Sequence, residues 1–143
     1  MVGVEIDFVV KDTLKAIESY RKVFDVETIE ETKLQRGQNE VIFSIYGTRF
    51  HMLDENHEYQ LIAPIKDVPQ SVWFNVLVED IKETHKKALA EGYTQLQEVT
   101  EMTDFGVSNC MFADNFGYIW MLHQVHREVS FEDRMKLFEE GKF

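Results

Sequence analysis

Two stretches of this 143-residue chain repeat each other in order and spacing, and that duplication limits its folds more than any other feature. Phe8-Val9-Val10-Lys11-Asp12 matches Val76-Leu77-Val78-Glu79-Asp80: an apolar run, one charged residue, then an aspartate placed to cap a helix. Further on, Tyr46-Gly47 matches Phe116-Gly117, an aromatic and a glycine at a turn before an apolar run. Asp12 and Asp80 are 68 residues apart and Gly47 and Gly117 are 70 apart, so the copies differ by a two-residue loop change. Landmarks that recur at a fixed offset are the mark of one supersecondary unit used twice.

The stretches between the landmarks agree. Residues 4–10 alternate and then run apolar, as a strand does. Asp12-Thr13 opens a helix in which Leu14, Ile17, Tyr20, Val23 and Phe24 fall at helical spacing. Strands are predicted at 26–33, 41–46 and 49–53, with turns at Gly37-Gln38-Asn39 and Gly47-Thr48. The second half repeats the plan with a strand at 71–78, a helix from Ile81 to about Ala90 that Gly92 ends, and strands at 95–100, 107–113 and 118–125. Residues 54–70 are polar, hold both prolines (Pro64 and Pro69) and lack a period, which suits a connection between halves. Tyr59, Leu61, Ile62 and Ile65 imply that this connection packs on something. Ser130 caps a short last helix with Asp133 at its N3 position, and Phe131, Met135 and Phe138 mark its apolar face. The whole is one α+β domain, 1–143: module one at about 3–54, a connection at about 55–70, module two at about 71–127 and a C-terminal helix at about 130–140.

Charge narrows the partners. Fifteen basic residues against 26 acidic ones leave a net charge of −11, which phosphate backbones and anionic membranes repel. That charge serves solubility, or it draws in a cationic ligand. Cys110, the only cysteine, lies in a mostly apolar run, where a packed thiol is the simpler reading than a nucleophile. The start lacks a basic, apolar signal, and no apolar run approaches the roughly 20 residues that cross a bilayer. A cytoplasmic location is expected.

At this point the motifs become specific. A strand, then an Asp-capped helix carrying Ala16, Ile17, Tyr20, Val23 and Phe24, then three strands resembles the half-unit of the vicinal oxygen chelate superfamily, which holds glyoxalases, bleomycin-resistance proteins and dioxygenases. Asp104-Phe105-Gly106 and the later run Phe112-Ala113-Asp114-Asn115-Phe116-Gly117-Tyr118-Ile119-Trp120 are similar to the PhnB-like branch, with Asn115 where that branch commonly has proline. The closing 128–133 also resembles that branch. The resemblance implies two βαβββ modules forming curled mixed sheets around a cup-shaped pocket, and a homodimer. It also implies four metal-ligand positions, seven residues before each capping aspartate and four after each turn glycine. Here these read Glu5, His51, Trp73 and Met121. An indole offers no free lone pair and a thioether is a poor ligand for hard divalent ions, so no metal site is expected. A register shift would bring in Asp7 or Asn75.

The expected ligand-binding residues are therefore Glu5, Asp7, His51, Trp73, Asn75, Trp120 and Met121. Glu5 and His51 are the only weak candidates for acid–base catalysis. Phe43, Phe50, Phe74 and Phe112 lie on or beside the pocket strands, but only alternate residues face inward. His85 reads as solvated, and His123 and His126, three apart on a strand, do not chelate. The expected function is a metal-free protein that binds a small organic molecule in an acidic, aromatic-lined cup, with no cofactor. One alternative is a metal-dependent lyase, isomerase or dioxygenase acting on a small carbonyl or vicinal-oxygen compound. The other is a non-catalytic structural homodimer.

Overall fold

In a computed structural model, which describes residues 1–142, the chain runs β1 (Ile6–Val10), α1 (Thr13–Val23), β2 (Val26–Glu31), β3 (Glu40–Ile45), β4 (Thr48–Asp54), β5 (Phe74–Leu77), α2 (Ile81–Ala90), β6 (Thr94–Met102), β7 (Val107–Ala113), β8 (Ile119–Val125) and α3 (Phe131–Glu139). The three helices begin where capping side chains satisfy free amides. Asp12 accepts from the Lys15 N–H at 3.2 Å, Asp80 from the Glu83 N–H at 3.1 Å and Ser130 from the Asp133 N–H at 3.1 Å. Differences from the sequence expectation lie at strand ends. β5 begins at Phe74 rather than at residue 71, and β6 is longer, with register shifts against β7.

The two modules have one topology. The sheets run β1-β4-β3-β2 and β5-β8-β7-β6, and in each the first pair is parallel and the others antiparallel. Asp7 stands opposite His51 across β1 and β4, and Asn75 stands opposite Met121 across β5 and β8. The offsets of 68 and 70 residues therefore carry one register pair onto the other.

Burial alternates along the strands. Phe8, Val41, Phe43, Phe50 and Met52 of module one point to the helices, as do Phe74, Val76, Cys110, Phe112, Trp120 and Leu122 of module two. These two helix-bearing faces meet in a single core. The ring of Tyr20 on α1 lies 5.5 Å from Trp120, Phe24 lies 4.5 Å from Trp120, and Phe8 lies 5.4 Å from Phe74. Each such buried side chain contributes about 1.5–3 kcal/mol of transfer energy. With both helix-bearing faces turned inward, the helix-free face of each sheet is on the outside. No described helix is long and apolar enough to cross a membrane.

Polar groups pin this packing. Asp114, buried in the turn before β8, accepts from the Tyr20 hydroxyl at 2.6 Å, Trp120 Nε1 at 2.9 Å, and the amides of Phe116 at 2.8 Å and Tyr118 at 2.9 Å. Burial pushes its carboxyl up from the ordinary range against the pull of these four donors. The connection packs through other residues than expected: Tyr59, Ile62 and Ile65 are exposed and Leu61 is half-buried. Ala63 is buried and Pro64 lies on Gly117, where an added Cβ would come within 2.6 Å of the proline ring. Gly117 also has a φ of +99°, so both space and backbone demand glycine there.

Asp54, at the end of β4, accepts from the amides of Thr13 at 2.7 Å, Gly37 at 2.8 Å and Asn39 at 3.0 Å. Burial raises its carboxyl, but these amides outweigh burial and hold it below its usual value. A depressed carboxylate stabilises the fold above its unfolded value of about 4, and that stability is lost as pH falls through the folded value. Asp54→Asn is therefore expected to cost about 1–3 kcal/mol at neutral pH and less at acid pH, read as the difference between urea midpoints of the two chains. Tyr20→Phe removes one of four donors from a buried carboxylate and is expected to cost about 1–3 kcal/mol in the same assay.

Candidate functional site

The outer face of module one carries a cluster of charge. Glu5 lies just before β1 and Asp7 within it, two residues apart and so on one face, and the β1–β4 register sets His51 beside them. His51 Nδ1 lies 3.2 Å from Glu5 Oε1 and 3.4 Å from Asp7 Oδ2, and its Nε2 lies 3.4 Å from Glu40 Oε2. That Nε2 is out of solvent and makes no hydrogen bond. The guanidinium of Arg49 donates through Nε to Glu5 Oε2. This bond holds the Glu5 carboxyl below its ordinary value.

The outer face of module two has different chemistry at the matching places. Trp73 stands where module one has Glu5, Asn75 where it has Asp7, and Met121 where it has His51. Trp73 is 55% exposed, an unusual position for an indole in a folded chain. Two residues beyond Met121, on the same face, His123 Nδ1 lies 2.9 Å from Asn75 Oδ1. Burial lowers the pKa of His123, which favours the neutral ring.

Not every expected residue reaches these faces. Trp120 is fully buried and faces the helices, because its neighbour Met121 faces outward and strand side chains alternate. Its role is core packing and a bond to Asp114, so it is withdrawn from the ligand-binding set. Phe43, Phe50, Phe74 and Phe112 are buried in the same core, which leaves Trp73 as the aromatic lining of that set. His85 is not solvated: its Nε2 is buried without a partner. His126 pairs with Ser108 at 2.8 Å. Burial pushes the Cys110 thiol up to about 11, which suits packing and not nucleophilic attack. Strand alternation alone puts His123, two past Met121, on that residue's face, and the β5–β8 register sets it near Asn75.

Glu5, Asp7 and His51 bring three potential metal donors within 4.8 Å of one another, one more than the ligand positions counted in sequence. This set fits one open face of a divalent ion and no more. Arg49 already occupies one oxygen of Glu5, and the matched positions of module two offer an indole, an amide and a thioether. Arg49→Met is expected to raise the Glu5 carboxyl toward its ordinary value, read from the pH dependence of its side-chain carboxyl carbon shift in NMR.

Comparison with known proteins agrees with this architecture. Among solved structures, a mutant of the fosfomycin resistance protein FosX from Listeria monocytogenes, complexed with Mn(II) and 1S,2S-dihydroxypropylphosphonic acid, superposes with a TM-score of 0.68 at 18% identity, covering 96% of this chain and 98% of that one. TioX from Micromonospora sp. ML1 gives 0.64 at 15% identity, over 89% and 100% of the two chains. The PhnB protein from Bacillus cereus gives 0.65 at 15% identity, over 87% and 100%. At such identities the likeness is one of fold. No curated protein sequence matches the chain. The family model for the Glyoxalase/Bleomycin resistance protein/Dioxygenase superfamily matches residues 4–122, and the chain belongs to that superfamily.

Proposed function

We propose that this protein binds a small organic cation, without a metal, in a cup assembled from two copies of the chain. Module one of one copy supplies the acidic wall and module two of the other supplies Trp73. The observation that carries this is the shared core: one chain buries both helix-bearing faces together, which leaves the acidic face and the Trp73 face outside that core on different sheets. Within each sheet, β1 and β5 have a single strand neighbour; on β1 the Tyr118 hydroxyl of the same chain already accepts from the Val9 amide at 3.2 Å and donates to its carbonyl at 2.8 Å, so a second copy would meet side chains there and not a free backbone edge. Glu5, Asp7 and Glu40 surround His51 with carboxylates, and an exposed indole opposite them suits a cation–π contact. A net charge of −11 draws a cation toward the site from a distance. A buried lone cysteine suits a cytoplasmic protein.

One observation favours a second reading, in which the triad of Glu5, Asp7 and His51 holds a divalent ion. Such an ion would polarise an oxygen of the bound molecule. Titration with Mn(II), Ni(II) and Zn(II) separates the two. Tight binding of one ion per chain, lost in Asp7→Asn, would replace the metal-free reading.

For the two-copy cup, the expected mass in light scattering is about twice the 16.9 kDa of one chain. The naphthylmethylammonium ion is expected to raise the melting temperature of the wild type, and neither Asp7→Asn nor Trp73→Ala to respond. The two variants, unfolded together and refolded as an equal mixture, are expected to regain about a quarter of the cups, because each mixed dimer holds one intact cup. A cup formed within one chain would regain none.

A further inference from the structure

His123 has no place in the metal chemistry of the fold and is not needed to hold the core. It lies on the outer face of β8, two residues past Met121, and faces Leu77 across β5 and Asn109 across β7. The amide of Asn109 is already engaged, accepting from Gln97 Nε2 at 2.6 Å and donating to the Met102 sulfur at 3.2 Å. Among the described residues, His123 has one polar partner, the Asn75 oxygen at 2.9 Å from Nδ1. An amide oxygen only accepts, so the ring nitrogen facing it must carry the proton. In a neutral ring the other nitrogen, Nε2, then presents a lone pair. No described group donates to it, and it is not shut away from solvent as the Nε2 atoms of His51 and His85 are.

From this we infer that Asn75 fixes His123 as the Nδ1–H tautomer and makes Nε2 a hydrogen-bond acceptor for the cup's ligand, so that the site prefers organic cations bearing N–H groups over quaternary ammonium ions. The inference rests on the two-copy cup and narrows its ligand class. A carboxylate wall and an indole attract any cation, because charge and the ring quadrupole act without regard to hydrogen-bond donors. A neutral acceptor does not work that way. It rewards a donor and gains nothing from a trimethylammonium group, whose methyl shell would leave Nε2 desolvated and unpaired. The two faces thus divide the work: module one supplies attraction, and the Asn75–His123 pair of module two supplies discrimination.

The test compares naphthylmethylammonium with naphthylmethyltrimethylammonium, which share ring and charge. Wild-type protein is expected to bind the first about tenfold more tightly in calorimetry, as one well-placed hydrogen bond allows. His123→Leu and Asn75→Leu are expected to lose that preference while still binding the quaternary ion. Long-range nitrogen–proton NMR of the wild type is expected to show protonated Nδ1 and bare Nε2 on His123, a readout independent of any variant's folding. Equal binding of the two probes by wild type, with Trp73→Ala abolishing both, would overturn the role of His123 and leave the cup standing. A proton on Nε2 in that spectrum would do the same. If neither probe binds, the cup reading falls and takes this inference with it.

Discussion

The helix-bearing faces of the two sheets share one core, and the rest of the molecule follows from that contact. Tyr20 and Phe24 of α1 pack against Trp120 of β8, and Phe8 of β1 packs against Phe74 of β5. Aromatic side chains carry the largest apolar area per residue, so a contact built from them dominates the energetics of the joint. Asp114 gives the same joint its geometry. It gathers a hydroxyl from module one, an indole N–H and two amides onto one buried carboxylate, and an arrangement with four matched donors tolerates little sliding. Once this core forms, the helix-free faces have nowhere to go but outward.

That orientation explains why the chemistry of the chain is split. Module one keeps its polar side chains in a dense group, with His51 between Glu5, Asp7 and Glu40 and with Arg49 tying back Glu5. Module two holds an indole, an amide and a thioether at the places of Glu5, Asp7 and His51, with the His123 ring 2.9 Å from that amide's oxygen. Duplication supplied two equivalent faces, and divergence gave them complementary characters. One face is rich in charge and the other carries an exposed indole.

Much of this was legible in the chain. The matched runs ending at Asp12 and Asp80, with the glycines at 47 and 117, fixed the order of elements, because capping chemistry and turn chemistry are local. That Glu5, Asp7 and His51 come together depends on the parallel pairing of β1 with β4, a contact between strands far apart in the chain. One expectation fails on face assignment. Trp120 was placed in the cup although its neighbour Met121 was too, and adjacent strand residues cannot share a face. His123 and His126 have separate partners, Asn75 and Ser108, and the Asn75 contact crosses to another strand, so spacing along the chain does not show it.

The sequence alone determined what is written in short range: two copies of one βαβββ unit, the starts of three helices, and an acidic chain with a single cysteine. Tertiary structure decided what depends on contacts across tens of residues. It set which sides of the sheets meet, and it buried Trp120 while leaving Trp73 exposed. The physical reason is that alternation along a strand specifies two faces but not which of them another layer will cover. That choice belongs to the packing of aromatic side chains from both modules, and no local pattern encodes it.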